Sequence, residues 1–176
     1  MEVDKIEDEK PSEIKKVFIA LIAVFLIFLF FSYIILGVDV ISIFEGRLVS
    51  YKVENSQIKL KNGGGVVFGE GVYEGLRELY DLNQAHEVSA CIRGYKADKS
   101  YFADSFYIPN ISKQTVFEVD SEMCDARTII ALHTHPYKRC IFSGQDINYY
   151  NYFRNINPDG IISLMCERDR FSFYGY

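Results

Sequence analysis

The sequence TIIALHTHPYKRCIFSGQD, residues 128 to 146, decides the fold expected for this chain. Its first five residues are β-branched or aliphatic, which predicts a buried strand, and a proline soon ends the run. Because side chains alternate along a strand, His133 and His135 are expected to project from the same face. Asp146 lies at the start of a polar and aromatic segment of helical character, residues 147 to 155. The stretch therefore predicts a strand, a loop and a helix start that bring polar side chains together.

Two imidazoles and one carboxylate form a ligand set that zinc favours, with the fourth tetrahedral position left for water. Each half of the motif also has a purely structural interpretation. A His-x-His pair at a strand end can simply be hydrogen-bonded, and Ser143 with Asp146 has the pattern of an ordinary helix capping box. The whole pattern, His-x-His-Pro-x6-Ser-x-x-Asp, has a chance probability on the order of one in 10⁵ in a chain this long. Its spacing therefore favours a metal site formed by His133, His135 and Asp146.

The motif resembles the signature of the JAMM (MPN+) metallopeptidases, a family of zinc deubiquitinases and their prokaryotic relatives. That family also uses an upstream glutamate, typically within Glu-x-x-Gly-x-Leu-x-Gly. The corresponding stretch here is EVSACIRG, which matches the pattern at Glu87 and Gly94 and has Ala90 and Ile92 at its other two positions. The likeness is thus complete at the ligand motif and partial at the glutamate.

The resemblance covers residues 45 to 176 and implies a cytidine-deaminase-like α/β fold, in which helices flank a mixed β-sheet. It also implies one Zn²⁺ ion on the three ligands, Glu87 as general base and Ser143 as a donor to the oxyanion of the tetrahedral intermediate. The expected activity is hydrolysis of a peptide or isopeptide bond. The expected substrate is a peptide or the tail of a ubiquitin-like protein.

Two other functions fit parts of the sequence. One is a catalytically inactive, membrane-tethered interaction module of the MPN type. The other is the RadC-type branch, associated with DNA repair, which shares the histidine-to-aspartate spacing but usually has Ser-Gly where this chain has Tyr137-Lys138. A net charge of -5 and the lack of a Lys/Arg cluster make nucleic acid a poor candidate partner.

The N-terminal part of the chain divides into three segments. Residues 1–16 form a charged tail, residues 17–38 contain no charged side chain, and residues 39–47 are expected to link this segment to a domain at 48–176. At 1.5 Å rise per residue, the uncharged segment would form a helix of about 33 Å, long enough to cross a bilayer core. A cleaved signal peptide is the competing interpretation, but the apolar run is long for one.

The orientation of this transmembrane helix follows from its flanking charges. Four lysines precede it, whereas Arg47 and Lys52 are the basic residues that follow it closely. The positive-inside rule therefore predicts a cytoplasmic N-terminus with the domain outside, although four against two leaves both placements open.

Elements elsewhere in the domain are predicted from periodicity and turn residues. Leu48–Val53 and Gln57–Lys61 are expected to form a hairpin, and Val72–His86 an amphipathic helix. Further strands are predicted at 87–93, 101–108, 115–119, 160–166 and 171–174.

The four cysteines lack Cys-x2-Cys spacing, which argues against a second zinc site. Cys91 and Cys166 lie in apolar strand candidates and are expected to be small core residues. Cys124 and Cys140 lie in loops on either side of the histidine strand, so we expect them to pair if the domain faces an oxidising exterior. His86, the third histidine, is not assigned to the metal.

Overall fold

The computed structural model describes residues 12–36, 40–114 and 119–176. They form two compact units, Met1–Val40 and Ile41–Tyr176. The helices are α1 (Glu13–Leu36), α2 (Val40–Val49), α3 (Val72–Leu82) and α4 (Gly144–Ile156). The strands are β1 (Tyr51–Lys52), β2 (Gln57–Lys59), β3 (Gly65–Phe68), β4 (Ser89–Ala97), β5 (Ser100–Tyr107), β6 (Ile111–Gln114), β7 (Val119–Ser121), β8 (Thr128–Thr134), β9 (Ile161–Glu167) and β10 (Arg170–Tyr174).

Within the N-terminal unit, the structure describes the apolar helix α1, whose described side chains are almost all exposed. It is long and apolar enough to span a membrane, a test that a signal sequence near an N-terminus also passes. Helix α1 begins at Glu13, within the charged tail predicted at residues 1–16. It ends at Leu36, two residues before the end of the transmembrane segment predicted at residues 17–38. The first eleven residues of the tail lie outside the described residues.

The linker expected at residues 39–47 is helical from Val40 onward, because these residues belong to α2. Helix α2 packs on the rest of the second unit through the small residues Ser42 and Gly46, which are buried. A Cβ atom on Gly46 would lie 2.8 Å from Cβ of Cys140, so only glycine permits this close approach. The second compact unit begins at Ile41 and therefore includes nearly all of α2.

The main sheet has eight strands in the order β1-β10-β9-β8-β4-β5-β3-β2. Two neighbouring pairs, β8 with β9 and β3 with β5, are parallel, and the other pairs are antiparallel. The edge strands β1 and β2 are joined by a turn in which Glu54 and Gln57 exchange two backbone hydrogen bonds of 2.8 and 3.0 Å. The sheet is therefore nearly closed, and the predicted mixed α/β class is confirmed.

The predicted hairpin of β1 and β2 is wrong, although its turn is present. Asn55 and Ser56 adopt positive φ angles of 52° and 56°, as a tight turn between strands requires. Beyond the turn the two strands diverge, because β1 pairs with β10 and β2 pairs with β3. Each of the two strands thus forms its ladder with another strand, β10 or β3, and not with the other strand of the predicted hairpin.

The larger core cluster lies between the sheet and α3, which contributes Leu76, Leu79 and Tyr80 to it, and a smaller cluster includes Phe153 of α4. Helix α3 ends at Leu82, four residues before the predicted end. Strand β9, third in the sheet order, is buried on both faces over six consecutive residues, because its side chains contribute to two core clusters. Of the strand predicted at 115–119, residues 115–118 lie outside the described residues.

Candidate metal site

His133 lies at the C-terminal end of β8, in the middle of the main sheet, and His135 follows the strand in an extended backbone conformation. His133 is opposite Ser89 of β4, and the backbone amide of His135 donates to the carbonyl of Met165 on β9 at 3.0 Å. The Nε2 atoms of the two imidazoles lie 3.2 Å apart. The prediction that both histidines share one strand face is therefore confirmed.

The orientation of His135 is set by a backbone carbonyl. Its Nδ1 atom lies 3.0 Å from the carbonyl oxygen of Arg139 and must donate to it, because a carbonyl only accepts. In the neutral imidazole this leaves the Nε2 lone pair directed at the site. Burial, followed by the charge of His133, lowers the pKa of His135 from 6.5 to about 3. His135 is thus neutral at physiological pH, which is the form that binds metal ions.

Asp146 is held in place by the start of α4. The hydroxyl oxygen of Ser143 accepts from the Asp146 amide at 3.2 Å, and the Ser143 amide donates to Oδ2 of Asp146. The other carboxylate oxygen, Oδ1, lies 3.1 Å from Nε2 of His133. The residues therefore form an ordinary capping box and still present one oxygen to the histidines, so the structural and functional interpretations are compatible.

The ionisation of Asp146 suits a ligand. Burial by itself would raise the pKa of this carboxyl group. The hydrogen bond and charge of His133, with the Ser143 amide, outweigh burial and lower the pKa from 3.8 to about 2. At neutral pH the site therefore combines two imidazoles with one carboxylate anion.

The spacing of these donor atoms fits one metal ion. Donor atoms about 2.0 to 2.1 Å from a tetrahedral Zn²⁺ are separated by roughly 3.3 Å. The two Nε2 atoms are 3.2 Å apart, the Oδ1 contact is 3.1 Å, and Nε2 of His135 lies 4.0 Å from Oδ2 of Asp146. One ligand atom from each residue lies within 4.8 Å of the other two. His133, His135 and Asp146 could therefore hold a metal ion, and the same set also suits divalent ions other than zinc.

Glu87, the predicted general base, lies at this site. Its side chain is buried, with the residue 7% exposed, and its Oε1 atom is 3.4 Å from Nε2 of His135. Strand β4 begins at Ser89, so Glu87 precedes the strand instead of starting it. His86 is exposed and does not belong to the cluster.

Two further residues position the site and were missed by sequence reasoning. Thr134 lies between the histidines on the opposite strand face, where its hydroxyl oxygen accepts from the Val88 amide at 3.0 Å. Its own amide donates to the Val88 carbonyl at 2.9 Å, which fixes the backbone next to Glu87. The other residue is Arg139, which acts through its carbonyl. The position of Thr134 between two candidate ligands is a signal that the sequence does contain. The role of Arg139 leaves no signature in the sequence, because it belongs to a backbone carbonyl.

The disulfide expected between Cys124 and Cys140 is wrong. The bonds are Cys91–Cys124 and Cys140–Cys166, with Cα separations of 5.6 and 5.2 Å. Cys91 and Cys166, the two strand cysteines, are buried, as predicted, but each is bonded to a cysteine in a loop. The two loop cysteines are therefore held by β4 and β9, on either side of β8, and not by each other.

The bond between Cys140 and Cys166 anchors the segment that joins the two halves of the site. We name residues 136–142, between His135 and Ser143, the ligand loop. Its anchor is strengthened by Ser172 of β10, whose hydroxyl donates to the Cys140 carbonyl at 2.7 Å. The ligand loop is therefore attached to two strands of the main sheet.

No family model matches this chain, and no curated protein matches it either.

Proposed function

We propose that this chain is a membrane-anchored, zinc-dependent peptidase or isopeptidase of the JAMM type, with a cytidine-deaminase-like domain. The observation that carries the proposal is the convergence of His133, His135 and Asp146 with the buried carboxylate of Glu87. Three ligands with a carboxylate beside them form the arrangement that metal-assisted hydrolysis needs. The ordered spacing of the ligand motif supports the family assignment.

Each residue has a chemical role in this proposal. Zn²⁺, when bound, supplies a Lewis acid that makes water a nucleophile near neutral pH and polarises the substrate carbonyl. Glu87 accepts a proton from the attacking water and delivers it to the leaving amine. Its position beside His135, away from bulk solvent, suits a base that must act at the ligand cluster.

Ser143 is the proposed donor to the oxyanion. Its oxygen accepts from the Asp146 amide, so the hydroxyl hydrogen is available for a second partner. The residue is exposed, which allows a substrate carbonyl to reach it. Capping and oxyanion stabilisation thus use different parts of one hydroxyl group.

The disulfides support an extracytoplasmic location for the domain. All four cysteines are paired, and such bonds persist in oxidising compartments. The excess of lysines before α1 favours the same side by the positive-inside rule. We therefore propose that α1 anchors the chain with its N-terminus in the cytoplasm and its domain outside. A peptide or the tail of a ubiquitin-like protein is the proposed substrate.

The alternative function is that of an inactive interaction module with the same fold. Such a module would need neither a buried carboxylate at the ligand cluster nor a ligand histidine kept neutral. Both features therefore favour the enzyme.

Elemental analysis followed by a cleavage assay tests the proposal. The full chain, purified in detergent without chelator, should contain about one zinc ion per molecule and cleave a peptide library. A chelator should abolish cleavage, and added Zn²⁺ should restore it. His133→Ala provides the metal-deficient control. A protein that carries no divalent ion and cleaves nothing would instead support the interaction module.

A further inference from the structure

Helix α2 exposes two large apolar side chains on one face. Phe44 is 67% exposed and Leu48 is 83% exposed. They are four residues apart, so they lie one above the other on the helix surface. Ser42 and Gly46, on the opposite side of the helix, are buried. Phe44 and Leu48 thus form an apolar pair on the outward face of α2.

The outward face has a fixed direction because the inner face is firmly attached. Gly46 contacts Cys140 so closely that any side chain would collide with it. Nε of Arg47 lies 3.2 Å from Oε1 of Glu167, and the Arg47 carbonyl accepts from Arg170 at 3.4 Å. These contacts join α2 to the ligand loop and to the turn between β9 and β10. The helix cannot bury Phe44 by rotating without losing them.

Chain connectivity indicates what covers this face. Three residues separate Leu36, the end of α1, from Val40, the start of α2. A chain advances at most about 3.6 Å per residue, so these two residues are no more than roughly 14 Å apart in any conformation. If α1 crosses a bilayer, α2 begins at the bilayer surface. The interfacial layer of a membrane is the environment in which amphipathic helices bury an apolar face.

We propose that Phe44 and Leu48 insert into the interfacial layer of the bilayer, which makes α2 a second membrane contact and holds the domain in one orientation. The inference rests on the proposed membrane anchor. Neither Phe44 nor Leu48 belongs to the candidate metal cluster, so the inference does not depend on the proposed chemistry.

The orientation would place the metal site at the membrane-facing end of the domain. Strands β8 and β9 are parallel neighbours, so His133 and Glu167 are both near the C-terminal end of the same ladder. Arg47 binds Glu167 at that end, and Gly46 contacts the ligand loop. The class of substrate that such a site reaches is a peptide tail lying close to the lipid surface.

Single tryptophans test the proposal, because the chain contains none. Phe44→Trp and Leu48→Trp place a reporter on the outward face of α2, and Phe28→Trp reports on α1. Tyr95→Trp is the matched control, since Tyr95 is 54% exposed and lies at the opposite end of β4 from Glu87. Each full-length variant is reconstituted in phosphatidylcholine vesicles with and without bromine on the acyl chains. Its zinc content and disulfide count are compared with those of the parent.

We expect brominated lipid to lower the emission of Phe44→Trp and Leu48→Trp by about twofold and to leave Tyr95→Trp unchanged. Quenching of Phe28→Trp without quenching at positions 44 and 48 would overturn the docking and leave the anchor intact. Absence of quenching at all three positions would overturn both. Quenching at 44 and 48 alone would support docking without a membrane span.

Discussion

His135 donates from Nδ1 to the carbonyl oxygen of Arg139 at 3.0 Å, so the imidazole of a candidate metal ligand takes its orientation from a loop backbone. The residue after Arg139 is Cys140, which is bonded to Cys166 on β9. The disulfide therefore lies one residue from the atom that sets the tautomer of a candidate ligand. Groups that orient ligand histidines affect metal affinity even though they never touch the metal.

Loss of this disulfide should weaken metal binding. Replacing Cys140 and Cys166 by serine releases the ligand loop from β9, and we expect zinc affinity to fall by about 10- to 100-fold. Competition with a chromophoric chelator measures the affinity. The matched control replaces Cys91 and Cys124, whose bond does not include the ligand loop, and should change affinity less. Equal losses in both variants would show that general destabilisation, not ligand orientation, is responsible.

The substitution Glu87→Gln should separate binding from catalysis. Glutamine keeps the size of the side chain but cannot accept the proton, so hydrolysis should fall by about 10²- to 10⁴-fold while zinc content stays at the parent level. The measurements are elemental analysis and the peptide-cleavage rate. Glu78→Gln, on the exposed surface of α3, removes a carboxylate elsewhere and should alter neither. Parent-like turnover of Glu87→Gln would exclude this residue as the base.

Thr134 should contribute measurably to stability. It is 2% exposed, and Thr134→Val would leave the buried Val88 amide without its side-chain acceptor. Loss of a buried acceptor costs about 1 to 3 kcal/mol of the free energy of unfolding. Urea unfolding followed by near-ultraviolet circular dichroism in detergent micelles measures the change. Thr134→Ser retains the hydroxyl group and should lose less; similar losses in both variants would count against the hydrogen bond.

The metal-free domain should lose stability in acid. The folded-state pKa of His135, about 3, lies below its ordinary value of 6.5, so the unfolded chain binds a proton that the folded domain excludes. Stability is therefore complete above about pH 6.5 and declines as the pH falls toward 3. Asp146, with a pKa of about 2 instead of 3.8, adds a further loss below about pH 4.

Urea unfolding of chelator-treated protein at pH 7 and pH 5 tests this dependence. The variant His135→Gln lacks the titrating imidazole and should show a smaller difference between the two pH values. An equal difference in parent and variant would assign the acid sensitivity to other groups.

Elements with strong local signals could be predicted from the sequence. The alternation of β8 put both histidines on one face, and the serine and aspartate at the start of α4 formed the expected capping box. The strands predicted at 101–108, 160–166 and 171–174 correspond to β5, β9 and β10, and no boundary differs by more than one residue. These features depend on neighbours within about five residues in the chain, which is the range that periodicity describes.

Features set by distant contacts could not be predicted. Strand β1 pairs with β10, more than a hundred residues away, and no local pattern identifies that partner. The cysteine pairing was wrong for the same reason, since position in a strand or a loop does not reveal which segment packs opposite. The helical start of the second unit depends on Gly46 meeting Cys140, a contact between residues far apart in sequence. The carbonyl that orients His135 belongs to the backbone, where residue type carries no information.

The pairing of β1 with β10 has a consequence for biosynthesis. Every proposed catalytic and metal-binding residue lies between Glu87 and Asp146, yet the sheet that supports them closes only when residues 170–174 reach β1. Residues 170–174 must therefore have left the ribosome before the domain can be completed. Contacts so distant in sequence slow folding, and during that delay the cysteines are open to mispairing. Cells that make this protein would then gain from a disulfide isomerase in the compartment where the domain folds.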